Sequence, residues 1–69
     1  MNIERLKEIR KDHDLTQTDI AKYLGMKQQQ YSEYEIGKRV IPIESLSKLA
    51  DYYNTSIDYL VGRTDERKP

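Results

Sequence analysis

Apolar residues return along this chain every three or four positions, in short bursts and never in the alternating order of a strand. Ile3, Leu6 and Ile9 form the first burst, with Asn2 placed to cap it and His13-Asp14 ending it. The second burst is Ile20, Ala21 and Leu24. It opens after Thr16, a good N-cap, with Asp19 placed to reach back as in a weakened capping box. Leu15 and Ile20 hold the two positions of a hydrophobic staple, and Gly25 suits a left-handed C-terminal cap. A third helix follows at once and runs to about Glu35. Met26 and Tyr31 repeat the staple spacing around Lys27, and Gln30 stands where a side chain reaches back towards the cap. Lys27 itself is a poor cap, because an ammonium group cannot accept a backbone N–H.

Residues 37–42, GKRVIP, read as a loop, with Gly37 closing the third helix. Pro42 suits the first turn of the next helix, where a missing N–H costs nothing. Leu46, Leu49, Ala50 and Tyr53 follow at i, i+3, i+4 and i+7, the clearest amphipathic stripe in the chain. Asn54 ends that helix. Ser56 caps a last short one, whose inner face is Ile57, Leu60 and Val61. Beyond Gly62 the stretch RTDERKP is too polar to fold alone. The pattern predicts an all-α protein of five short helices, with one domain over residues 1–62 and a polar tail over 63–69.

Composition narrows the chemistry. A chain of 69 residues is one domain at most, and at that size only about 60% of the unfolded surface is buried. There is no cysteine and one histidine, His13, which gets no function here. No metal, cofactor or catalytic site can be assembled from that set, so no enzyme is expected. No apolar run approaches the ~20 residues of a membrane span, and no signal-peptide core is present, so a cytoplasmic protein is expected. Twelve basic residues balance twelve acidic ones. Up to residue 40 there are eight Lys/Arg and seven Asp/Glu; thereafter there are four and five. Neither half is a basic patch. A nucleic-acid partner would have to be held by a few placed cations and helix termini. Six tyrosines with no Phe or Trp point to a core of polar-tipped rings, and Tyr52 and Tyr59, on outer flanks, are placed to meet a second subunit.

The second and third predicted helices are short and joined by a turn of about three residues containing Gly25. That is the outline of a helix-turn-helix, whose second helix enters the DNA major groove with its N-terminal residues at the base edges. A run of glutamines is ordinarily solvated surface, but here Gln28 and Gln29 fall in the first turn of the inserted helix. A glutamine head carries one acceptor and two donors, so it can pair with N6 and N7 of adenine together. Tyr31 and Tyr34 lie on the opposite side, towards the core.

The stretch LTQTDIAKYLGMKQQQYSEYEIGKRVIP resembles the Cro/phage-repressor type of helix-turn-helix, also called the xenobiotic-response-element family, and SLSKLADYYNTSIDYLVGRT resembles its fourth and fifth helices. The resemblance implies a lambda-repressor-like domain. In that family the residue at Gln17 contacts a phosphate and braces the first residue of the recognition helix. The residues at Gln28 and Gln29 contact bases, as do those at Ser32 and Glu33 in some members. Those at Arg10 and Glu35 pair inside the domain, and those at Lys38 and Arg39 meet the DNA backbone.

The chain also departs from the family pattern. Lys27 replaces a Ser or Thr that caps the helix and binds phosphate; a lysine can hold a phosphate as a point charge, and the uncapped N–H groups can do so too. Glu33 can accept from cytosine N4 or repel the backbone. Tyr31 stands where Val or Ile is usual, so either the core is roomier or the phenol edges outward. The implied function is a sequence-specific, double-stranded DNA-binding transcriptional regulator of repressor type, acting as a homodimer on an operator with two half-sites. The rival is a protein-interaction module on the same scaffold, an antitoxin or anti-repressor, favoured by zero net charge and by Glu33.

Overall fold

All five helices of the computed structural model, which describes residues 4–69, stop for the same reason. They are α1 (Glu4–Asp12), α2 (Gln17–Leu24), α3 (Gln28–Glu35), α4 (Ile43–Tyr53) and α5 (Ile57–Leu60). Just beyond each, one residue adopts a left-handed backbone: Asp14, Gly25, Gly37, Asn54 and Gly62 in turn. The next N–H then folds back five residues, as in Met26 N to Ala21 O at 2.9 Å or Thr55 N to Ala50 O at 2.9 Å. This C-terminal motif satisfies carbonyls the helix leaves over and turns the chain sharply. Short elements and abrupt turns follow from it.

Their starts are more varied. The Thr16 hydroxyl accepts from Asp19 N while the Asp19 carboxylate accepts from Thr16 N, a complete capping box. Ser56 caps α5 through Tyr59 N. Lys27 makes no side-chain cap to α3. Gln30 does not reach back there either; its amide donates to the Tyr34 hydroxyl one turn on, at 3.3 Å. Pro42 is itself the N-cap of α4, one place before the first turn predicted for it. Asn2 and Ile3, read as cap and first apolar position of the opening helix, lie outside the described residues.

The apolar bursts converge. Leu6 and Ile9 of α1, Ile20, Ala21 and Leu24 of α2, Tyr31 and Tyr34 of α3, Leu46, Leu49, Ala50 and Tyr53 of α4 and Leu60 of α5 are buried together. Leu15, Met26, Ile57 and Val61 pack on the margin. Ile41 joins them from the loop before α4, where no periodicity marks it. Each Leu or Ile among them contributes about 1.5–3 kcal/mol when fully buried. Tyr31 is wholly enclosed, so the wider residue points inward and the core makes room for it. The hydroxyls of Tyr31 and Tyr53 are both buried; that of Tyr53 has no hydrogen-bond partner, and that of Tyr31 faces the Glu35 carboxylate.

One expectation about the C-terminal end changes. Residues 63–69 form no regular element, yet the turn at Gly62 lays them back against α1 and α5. Arg5 Nη1 donates to Thr64 O at 3.1 Å, and Arg5 Nη2 meets Asp65 Oδ1 at 3.1 Å. Arg67 Nη2 pairs with Asp12 Oδ2 at 2.7 Å, and the Thr55 hydroxyl donates to Arg67 O. Tyr59, expected on an outer flank, is therefore buried. The Arg5 guanidinium lies 4.1 Å from its ring centroid, and Arg67 donates to its hydroxyl at 3.0 and 3.1 Å. Tyr52 does stay on the surface, stacked 4.6 Å from Tyr23.

Candidate nucleic-acid interface

α3 has two unlike faces: Tyr31, Tyr34 and Glu35 turn inward, Gln29 and Glu33 lie on the other side, and Gln28 stands at the edge between them. Tyr31, Tyr34 and Glu35 are buried; Gln28 and Gln29 are exposed; Ser32 and Glu33 are half-buried. The turn at Gly25–Lys27 sets α3 across α2, with Gly25 at φ 73°. A side chain added at Gly25 would meet no atom within 4 Å, so the glycine is there for its backbone angle alone.

Behind the exposed face runs a continuous polar chain. Arg10 Nε donates to Glu35 Oε2 at 2.7 Å, and Arg10 Nη2 to Oε1 at 3.2 Å. Arg10 Nη1 also donates to Leu15 O at 2.7 Å, which ties the pair to the entry of α2. Gln17 Nε2 donates to Glu35 Oε1 at 3.1 Å, and Gln17 Oε1 accepts from Gln28 Nε2 at 2.6 Å. Burial alone would push the Glu35 carboxyl up, but the hydrogen bonds from Arg10, the Tyr31 hydroxyl and Gln17 outweigh it and hold it below the usual carboxylate range. The same hydrogen bond raises the Arg10 guanidinium.

The chain has a direction. A carboxylate only accepts, so Gln17 must offer Glu35 its amide nitrogen, and its oxygen is left for Gln28. Gln28 thus spends one donor inside the protein. Its oxygen and second N–H remain, which is the inventory needed to pair with adenine N6 and N7.

The cations lie at the other end of α3. Lys38 and Arg39 follow Gly37, and both point to Glu33: Nζ to Oε2 at 3.6 Å and Nε to Oε1 at 3.5 Å. Lys27, at the head of α3, is exposed. Among the residues read from the sequence, then, Gln17 and Gln28 are bonded, Arg10 and Glu35 are bonded, and Glu33, Lys38 and Arg39 form one cluster. Gln29 and Lys27 stand apart on the surface. The Glu33 cluster escaped the sequence reading, although an acid five and six residues ahead of two cations, across a closing glycine, is a legible signal.

A family profile described as helix-turn-helix matches residues 6–60. The chain belongs to the helix-turn-helix family, in its Cro and phage-repressor type. This helix-turn-helix chain is 36% identical over 69 residues to the uncharacterized HTH-type transcriptional regulator YobD of Bacillus subtilis, covering 100% of its own length and 62% of YobD. It is 40% identical over 67 residues to the cryptic phage CTXphi transcriptional repressor RstR of Vibrio cholerae, covering 94% of its own length and 60% of that protein. A more distant match at 30% identity, covering 96% of this chain and 42% of the other, is the antitoxin PezA of Streptococcus pneumoniae. The crystal structure of a transcriptional regulator from Listeria innocua superposes with a TM-score of 0.84 at 36% identity, over 93% of this chain and 60% of that one. The helix-turn-helix chain therefore spans about 60% of the length of the regulators it matches. Among its described residues no helix is long and apolar enough to cross a membrane.

Proposed function

We propose that this protein is a cytoplasmic transcriptional repressor that binds an operator in double-stranded DNA as a homodimer, through the exposed face of α3. The observation that carries the reading is the Gln28 amide, held by Gln17 at 2.6 Å yet exposed and still able to pair twice. Gln28 and Gln29 read base edges at the mouth of the major groove, with Ser32 and Glu33 one turn deeper. Gln17, Lys27, Lys38 and Arg39 contact phosphates on either side. The names of the phage repressor and the HTH-type regulators support the reading. Two-fold symmetry would set the paired α3 helices about 34 Å apart, one turn of DNA. Residues 1–62 make up the DNA-binding domain on this reading, and 63–69 brace it.

The test is selection of bound sequences from a random duplex pool. Enriched sequences should carry an inverted pair of half-sites centred about one helical turn apart. A pool that does not enrich refutes the reading. A protein-interaction role, as in an antitoxin, is favoured by the zero net charge and by the PezA match. It predicts no retention on random duplex at low salt.

A further inference from the structure

The cationic loop after α3 is already occupied. One carboxylate, Glu33, is shared by Lys38 Nζ at 3.6 Å and Arg39 Nε at 3.5 Å. The main chain builds this arrangement. Lys38 N donates to Glu33 O at 2.9 Å and Arg39 N to the same oxygen at 3.2 Å, so the turn that ends α3 returns both cations to the residue whose acid they meet. The Glu33 side chain is only 18% exposed, whereas Lys38 and Arg39 are 70% and 63% exposed. The acid is fixed in place. The two cations are the solvent-exposed partners of the cluster.

Resting on the DNA-binding reading above, we propose that Glu33 determines specificity by standing in for a DNA phosphate: it holds Lys38 and Arg39 in the free protein, and a duplex phosphate must displace it. Moving these cations from a carboxylate to a phosphate exchanges one anion for another. Contact with DNA of arbitrary sequence therefore gains little, and the free energy of binding must come from base edges. A protein with twelve acids against twelve bases has no surplus of cations to override that exchange. Once displaced, the Glu33 carboxylate is left at the groove without a counter-charge. That loss is recovered only where a base-edge donor such as cytosine N4 meets it. Glu33 thus penalises wrong sequences twice, through the cations it holds and through the acid it leaves behind.

The experiment compares the wild type, Glu33→Gln, Asp51→Asn and the Lys38→Ala/Arg39→Ala background with and without Glu33→Gln. Each is measured for elution from heparin and for affinity to a random-sequence duplex at low salt. Glu33→Gln should elute later and bind random duplex about three- to tenfold tighter, with a steeper salt slope, as two exposed ion pairs are released to the polyanion. Asp51→Asn makes the same charge change on α4 and should shift affinity by less than about twofold, as screened surface charge does. The gain should vanish without Lys38 and Arg39. A Glu33→Gln variant that matches Asp51→Asn, or that keeps its gain without the two cations, overturns the proposal. Heparin has no bases, so the two ideas fail separately. The expected heparin pattern with no duplex binding by any variant would refute the DNA reading and the specificity role with it. Duplex binding that is indifferent to Glu33 would refute this inference and leave the DNA reading standing.

Discussion

Gln17 Oε1 accepts a hydrogen bond from Gln28 Nε2 at 2.6 Å, and the polarity of that bond is dictated from inside the protein. Glu35 can only accept, so it takes the nitrogen of Gln17 and turns the oxygen outward. Removing the brace by Gln17→Ala frees the Gln28 head and withdraws one donor from Glu35, leaving the Arg10–Glu35 contact itself in place. We expect operator affinity to fall about tenfold, a typical worth for one hydrogen bond plus lost preorganisation, with Tm lower by several degrees as Glu35 loses one donor. Fluorescence anisotropy on the selected operator, alongside a thermal melt, measures both.

The ion pair behind that brace is structural. Arg10 and Glu35 side chains are 9% and 1% exposed, and breaking such a pair strands a buried charge. Arg10→Met or Glu35→Leu alone should cost about 3–5 kcal/mol. That approaches the whole stability of a chain this size, about 3–10 kcal/mol at typical values per residue. The double replacement Arg10→Met/Glu35→Leu strands no charge and should be more stable than either single variant. Urea denaturation decides it.

Stability should fall at both ends of the pH scale, for opposite reasons. The Glu35 carboxyl sits below its ordinary range when folded, so its contribution is complete at neutral pH and is lost as pH falls through about 4 and below. Asp19 acts in the same direction, lowered by the Thr16 N–H it accepts. Burial raises the Tyr31 and Tyr53 hydroxyls, so the folded chain keeps protons the unfolded chain gives up, and stability declines as pH rises above about 10. Tyr31→Phe should flatten the alkaline limb of a Tm–pH profile. Tyr53→Phe should flatten it too, and at neutral pH should be neutral or stabilising, since the lost hydroxyl has no partner.

Helix starts offer a matched pair of changes. Thr16→Ala removes a working cap from α2 and should cost about 1 kcal/mol. Lys27→Ser supplies α3 with the cap it lacks and should add about 0.5–1 kcal/mol. If Lys27 also holds a phosphate, the same variant will bind DNA more weakly while melting higher.

Local signals were the legible ones. Thr16, Gly25, Asn54 and Ser56 act within a turn of their own backbone, so their roles can be read from neighbouring residues, and the α4 stripe shows its buried face through spacing alone. What was not legible depends on chain returning from a distance. Nothing near Tyr59 announces that Arg5, 54 positions earlier, and Arg67, beyond a polar turn, will cover its ring. Ile41 sits in a loop with no period to mark it. The brace of Gln17 on Gln28 is legible only through family resemblance, because its cause is a buried carboxylate contributed by the far end of α3.

Base reading by the free end of α3 shows most clearly in a ratio. Affinities of the wild type, Gln28→Ala and Gln29→Ala are measured for the selected operator and for a random duplex under one salt condition. Each truncation should lower operator affinity by about 1–3 kcal/mol and leave random-duplex affinity nearly unchanged, collapsing the discrimination between them. Equal losses on both duplexes would mean that these amides do not read bases.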